Sequence, residues 1–199
     1  MRAAAIRESL ARPWVHGQAA DLRGLTVTEP LNLSGMALSG ADFSGTRFCA
    51  PVLAAGARFD GLSWFTGAVF EDKADFARAL FINEARFDGA RFAGPAGFGG
   101  AEFRGIARFD RAELARGGDF ARITAYGNVS LDRTVFGGPA DFTGGEFLGG
   151  FWCDTAHFDA GAAFDETQVH GRLWIRGATL GNAPLGDERF GLSFGYTYR

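Results

Sequence analysis

The sequence predicts an all-β solenoid, in which the chain turns a corner every five or six residues and stacks its coils around an apolar core. Three observations carry this. Phenylalanine recurs in alternating steps of six and five through Phe70, Phe76, Phe81, Phe87, Phe92, Phe98, Phe103 and Phe109. Two residues ahead of these positions stands alanine, as at Ala74, Ala79, Ala85, Ala90, Ala96 and Ala101. Two residues behind them glycine is frequent, as at Gly61, Gly67, Gly89, Gly94, Gly100 and Gly105, and supplies the backbone freedom that corners need. A period of five or six fits neither a continuous helix nor a continuous strand, and a fixed internal repeat marks a solenoid.

The core positions follow the same spacing in both directions. Toward the N-terminus they run through Phe65, Phe59, Leu53, Phe48, Phe43, Leu38, Leu33, Val27 and Leu22. Toward the C-terminus they run through Leu114, Phe120, Ala125, Leu131, Phe136, Phe142, Phe147, Cys153, Phe158, Phe164, Val169, Ile175 and Leu180. Of the 21 phenylalanines only Phe151, Phe190 and Phe194 fall elsewhere. Where the core residue shrinks to Ala125 its companion grows to Ile123, and Cys153 is matched by Phe151. Such large-for-small exchanges are what a tightly packed interior requires.

Ala41-Asp-Phe-Ser-Gly, Ala74-Asp-Phe-Ala-Arg, Ala85-Arg-Phe-Asp-Gly and Ala101-Glu-Phe-Arg-Gly resemble the pentapeptide-repeat motif, A(D/N)(L/F)xx, over residues 20–182. The resemblance implies a right-handed quadrilateral β-helix with four repeats per coil. With alternating steps each coil is then 22 residues, longer than four strict pentapeptides, so a one-residue bulge is expected on two opposite faces. About 7.5 coils at ~4.8 Å each make a rod roughly 35 Å tall. Phe76, Phe98, Phe120, Phe142 and Phe164 are expected to form one interior column.

Solenoid ends need covering. Residues 1–20 are expected to form an N-terminal cap with one short helix over Arg2–Ala11, stopped by Pro13. Residues 21–182 form the β-helix, and 183–199 a β-like capping or dimerisation tail. In that tail Phe190, Leu192, Phe194, Tyr196 and Tyr198 alternate with small residues, which predicts a strand with one apolar face. That face must hide on the last coil or on a second copy.

Composition narrows the function. A net charge of −3 leaves no basic footprint for direct nucleic-acid binding. Cys49 and Cys153, about a hundred residues apart, suggest neither a disulfide framework nor a zinc site and fit a reducing, cytoplasmic compartment. The N-terminus, interrupted by Arg7 and Glu8, does not read as a signal peptide, and no apolar run is long enough to span a bilayer. Gly191-Leu-Ser-Phe-Gly matches a nucleophile elbow around Ser193, but none of His16, His157 and His170 follows it as that fold requires. Gly94–Gly100 lacks the GK(S/T) of a phosphate loop. No cofactor, no metal and no catalytic residues are expected.

Function should therefore lie on outward residues. Asp88, Asp110, Asp132 and Asp154 each follow a core position on one face and should stack one per coil; Asp75, Asp119 and Asp141 lie on another. Flanking Arg86, Arg108, Arg111 and Arg133 allow either a self-neutralising surface or, if the carboxylates dominate, charges spaced like a phosphate backbone. Trp64, Trp152 and Trp174 precede core positions on the face of Asp88, with Trp152 above Trp174, either as a binding surface or beneath the tail. The leading expectation is a non-enzymatic scaffold with a protein partner. The resemblance adds a second, protection of DNA gyrase by DNA mimicry with dimerisation through the C-terminus. The third is an atypical surface enzyme using Asp154, His157 or His170 beside Trp152 and Trp174.

Overall fold

The computed structural model describes residues 2–199. Each repeat contributes a strand of two or three residues, and its large side chain turns inward at or just beyond the strand end. Strands of successive coils pair in parallel, so four sheets form the sides of the rod. The first face begins with Ala19–Asp21 and continues through Ala85–Arg86 to Thr197–Tyr198, nine strands in all. The second also has nine, the third six and the fourth eight. Register is fixed by the 22-residue coil: Ala85 pairs with Ala107, Phe81 with Phe103 and Phe70 with Phe92. The first coil is one residue shorter, with Ala20 opposite Ala41, and the last is longer, with Leu173 opposite Thr197. This is the four-sided β-helix expected, in about eight turns.

The interior is a lattice of phenyl rings. On the third face Phe76, Phe98, Phe120, Phe142 and Phe164 stack at 5.0–5.2 Å between centroids, with their planes nearly parallel. Phe43, Phe65, Phe87 and Phe109 stack likewise on the first face, and Phe59, Phe81 and Phe103 on the fourth. Columns meet edge to face, as Phe87 and Phe98 do at 5.3 Å and 84°. The spacing between rings is that of the hydrogen-bonded strands carrying them, so burial and stacking come from one geometry.

One core assignment is corrected. Leu53 is half-buried; Ala54 takes the inward position, with Val52 as its buried companion. The pair repeats the large-for-small exchange of Ile123 with Ala125, and it restores the alternation of steps between Phe48 and Phe59.

The longer steps do not bulge the faces. Their extra residues lie in two opposite corners, and this separates two kinds of glycine. Gly67, Gly89 and Gly100 have φ of +62 to +67°, as corner glycines should. Gly61, Gly94 and Gly105 do not; there a Cβ would collide with the backbone of the preceding coil. Arg78, Arg111, Arg122 and Arg133 take the left-handed conformation at sites where other coils have glycine, with φ of +53 to +58°.

The helix spans Ala3–Leu10 and buries Ala3, Ile6 and Leu10 over the first coil. The Leu10 carbonyl accepts from the Ser39 N–H at 2.8 Å. At the other end the chain folds back through Ala183–Pro184, antiparallel to Thr179–Leu180. Leu192–Ser193 and Thr197–Tyr198 then pair in parallel with the chain's own preceding coil. The tail does not hide one apolar face, as its alternation suggested. Phe190 turns inward onto Phe164, 5.0 Å away. Leu192, Phe194, Tyr196 and Tyr198 point outward because Ser193, not its neighbours, falls opposite inward Val169.

Candidate functional site

The first face carries two vertical ladders. Asp88, Asp110, Asp132 and Asp154 stand one per coil and are half-buried. Their position has a local cause. From Asp132 onward the N–H of the residue after the core position points away from the sheet ladder, and the aspartate one coil earlier accepts it. Asp132 N–H donates to Asp110 Oδ1 at 3.3 Å, Asp154 N–H to Asp132 at 3.1 Å and Arg176 N–H to Asp154 at 3.2 Å. Arg108 bridges Asp88 and Asp110 at 3.1 and 2.8 Å, and Arg176 pairs with Asp154 at 2.9 Å. Asp132 has no such cation among the described residues. Burial, then the charges of Asp110 and Asp154, push its carboxyl above the usual range, and burial does the same to Asp88. The acidic ladder is thus interrupted by guanidinium groups, and each upper aspartate caps backbone. Asp75, Asp119 and Asp141 on the third face instead cap their own corners, accepting from the N–H two residues on.

The aromatic ladder runs beside it. Trp152 and Trp174 lie 5.4 Å apart, and Tyr198 of the tail extends the row 4.9 Å from Trp174. The tail therefore lengthens this ladder instead of covering it. Trp64 stands apart near the N-terminus, with Arg86 over its ring at 5.0 Å. The indole nitrogens of these three tryptophans are buried and find no acceptor among the described residues.

A third feature escapes single-column reading. Large apolar side chains exposed on this rod gather along the edge between the fourth and first faces. Ile106, Tyr126, Leu148, Phe194 and Tyr196 flank it, and Trp14 from the N-terminal segment lies over it at Gly61. Writing the chain in rows of 22 would have aligned Tyr126, Leu148 and His170 in one column; Phe194, 24 residues after His170, joins it only through the longer last coil.

Among the described residues no group of three His, Cys, Asp or Glu side chains could hold a metal. Cys153 lies in the core, where burial raises its thiol well above the usual range, and Cys49 is half-buried on the second face. Ser193 Oγ is buried without a hydrogen-bond partner, on a strand beside Gln168–Val169, not at a strand-to-helix turn. His157 Nδ1 meets Thr179 at 2.7 Å, and His170 lies 3.6 Å from Glu146. His157 is exposed and His170 half-buried. No helix among the described residues is long and apolar enough to cross a membrane.

Compared with protein-family models, residues 54–102, 65–113, 76–124 and 87–135 each match the family described as pentapeptide repeats (9 copies). Residues 54–135 of the chain belong to the pentapeptide-repeat family. This pentapeptide-repeat protein is similar to solved structures of the same kind. One is full-length QnrB1, a plasmid-mediated fluoroquinolone resistance protein: 18% identity, 90% of this chain and 92% of that one covered, TM-score 0.30. Another is HetL, involved in heterocyst differentiation regulation in the cyanobacterium Nostoc sp. strain PCC 7120: 17% identity, 100% and 94% covered, TM-score 0.24. No curated protein matches the sequence.

Proposed function

We propose that this pentapeptide-repeat solenoid is a non-enzymatic scaffold that docks a protein partner on its first face, in the C-terminal half. One observation carries the reading: the ladder of half-buried Trp152 and Trp174 with exposed Tyr198 on the outside of a rod whose interior is filled with rings. Aromatic side chains in such rows supply contact area at little conformational cost and concentrate binding energy. Asp154 and Arg176 beside the ladder provide a polar rim. The test is chemical cross-linking in extract of the native host, with sites mapped by mass spectrometry. Cross-links should fall around Trp152, Trp174 and Asp154 and disappear in Trp152→Ser/Trp174→Ser. Cross-links confined to the second and third faces would refute the reading.

A second reading draws on the aspartate ladder. Charges one per coil at ~4.8 Å could present a topoisomerase such as DNA gyrase with a surface spaced like nucleic-acid phosphates. Arg108 and Arg176 within the ladder rank this second. It requires that the protein restore gyrase supercoiling in the presence of a fluoroquinolone, and that Asp88→Asn/Asp110→Asn/Asp132→Asn abolish the rescue in a folded rod. It also brings a homodimer through exposed Leu192, Phe194, Tyr196 and Tyr198, which light scattering at one chain mass of 21.2 kDa would exclude.

A further inference from the structure

The edge between the fourth and first faces has glycine at its corner in five successive coils: Gly105, Gly127, Gly149, Gly171 and Gly195. At each, a Cβ would run into the backbone of the preceding coil. The edge is therefore bare backbone for about 19 Å, at ~4.8 Å per coil. Tyr126 and Leu148, 53% and 37% exposed, rise on the fourth-face side of this strip. Trp152 and Arg172 rise on the first-face side. Farther along the strip, beside Gly149 and Gly171, lies a depression of about 430 Å³ lined by His170 on the fourth-face side and by Trp152, Arg172 and Tyr196 on the first-face side.

The same edge is already filled once. Near the N-terminus the irregular segment after the helix lays Trp14 over the corner, with Cδ1 2.8 Å from where a Cβ of Gly61 would stand. There the chain's own indole, carried on a non-helical peptide, sits on glycine backbone. Farther up the rod the glycine strip has no such cover, and exposed Arg172 has no ion-pair partner among the described residues.

We infer that the Gly127–Gly149–Gly171 strip is a second seat of this kind, for an extended peptide segment of a protein partner. It takes an aromatic side chain on the bare backbone between Leu148 and Trp152, and a neighbouring carboxylate against Arg172. The inference rests on the scaffold reading and gives that partner its chemistry. A polypeptide fits because the seat's one visible occupant is a peptide-borne indole. The acidic flank follows from the unpaired guanidinium, which matches a carboxylate with two parallel hydrogen bonds. Glycine lets a flat ring approach the backbone closely, where the contact excludes water on both sides.

The test uses the full chain and a labelled, end-blocked peptide, Glu-Pro-Trp-Val-Glu-Gly, read by fluorescence anisotropy. This is the chain's own 12–17 segment with glutamate in place of Arg12 and His16. Binding is expected, weakened about tenfold or more by Arg172→Glu or Tyr126→Ser. The lysine version of the peptide should reverse the order, preferring Arg172→Glu. Val135→Ser, an exposed second-face site, should change nothing. No binding up to about 1 mM, or equal binding of both peptides to wild type and Arg172→Glu, overturns the inference. So does a multimer seen by light scattering that Tyr126→Ser dissociates, which would make a second copy the occupant. Sedimentation with anionic phospholipid vesicles that Arg172→Glu abolishes overturns it in favour of a membrane. Cross-links at Trp174 that survive both substitutions would leave the scaffold reading standing and remove this one.

Discussion

Truncating Phe98 to alanine tests whether the interior is the cooperative lattice described. Its ring is fully buried, stacked on Phe76 at 5.1 Å and Phe120 at 5.0 Å, with Phe87 and Phe109 edge-on at 5.3 and 5.2 Å. Deleting a buried phenyl costs about 3–5 kcal/mol, depending on how far the neighbours can close the void. Here they can close it little. Phe76 and Phe120 are tied to strands whose separation is set by backbone bonds such as Phe98 N–H to the Asp119 carbonyl at 2.7 Å. Two stacked pairs are lost as well, each worth about 0.5–1.5 kcal/mol beyond area, so the cost should reach the upper end, about 5 kcal/mol. Phe190→Ala should cost about half as much, because Phe190 meets Phe164 and Phe151 from one side only. Phe194→Ser, at a site 68% exposed, should stay within about 0.5 kcal/mol of wild type. Urea unfolding followed by tryptophan fluorescence and far-ultraviolet circular dichroism gives all three. A cost below about 1 kcal/mol for Phe98→Ala, or a larger one for Phe194→Ser than for Phe190→Ala, would refute the packing scheme.

The two glycine classes predict opposite sensitivities in the same melts. Gly171→Ala, whose methyl would overlap the Gly149 carbonyl, should cost about 3 kcal/mol or more, whereas Gly89→Ala, with open space but φ of +62°, should cost about 1–2 kcal/mol. Arg133→Gly should be neutral to stabilising, since relief of a left-handed residue offsets the added chain entropy. Asp132 binds its proton more readily in the folded rod than in the unfolded chain, so its ionisation opposes folding and the penalty fades as pH falls through the raised folded value. Asp132→Asn, whose Oδ1 can still accept from Asp154 N–H, should melt at or above wild type at pH 7, with the difference closing in acid; a lower melting temperature at pH 7 would refute this.

The solenoid was legible because one inward residue per step leaves a spacing that nothing else imitates. The slip at Leu53 shows the limit of that signal. Between Phe48 and Phe59 the spacing admits either Leu53 or Ala54, and side-chain size favours the wrong one; the companion Val52 is the mark that decides it. Alternation in the tail revealed a strand but not which parity points inward, because that depends on Ser193 landing opposite Val169. The aspartate ladder was visible as charge. Its capping of backbone N–H groups was not, since that requires knowing which amides the sheet leaves over. Glycines 61 and 67 look alike in sequence and differ in what surrounds them, axial backbone in one case and solvent in the other.

The phenyl columns do not all run the length of the rod. On the first face stacking stops at Phe109, where Leu131 follows; on the fourth it stops at Phe103, where Ala125 follows; on the second Leu114 separates Phe92 from Phe136. Only Phe98, Phe120 and Phe142 carry rings across that level. Under tension along its axis such a rod has a natural fracture plane near residues 114–131. Below that plane lies the segment bearing Trp64 and the N-terminal helix, and above it the segment bearing Trp152, Trp174 and the tail. A partner gripping both would load the joint directly, and a partner gripping only the upper segment would leave the lower one free to serve as an independent handle.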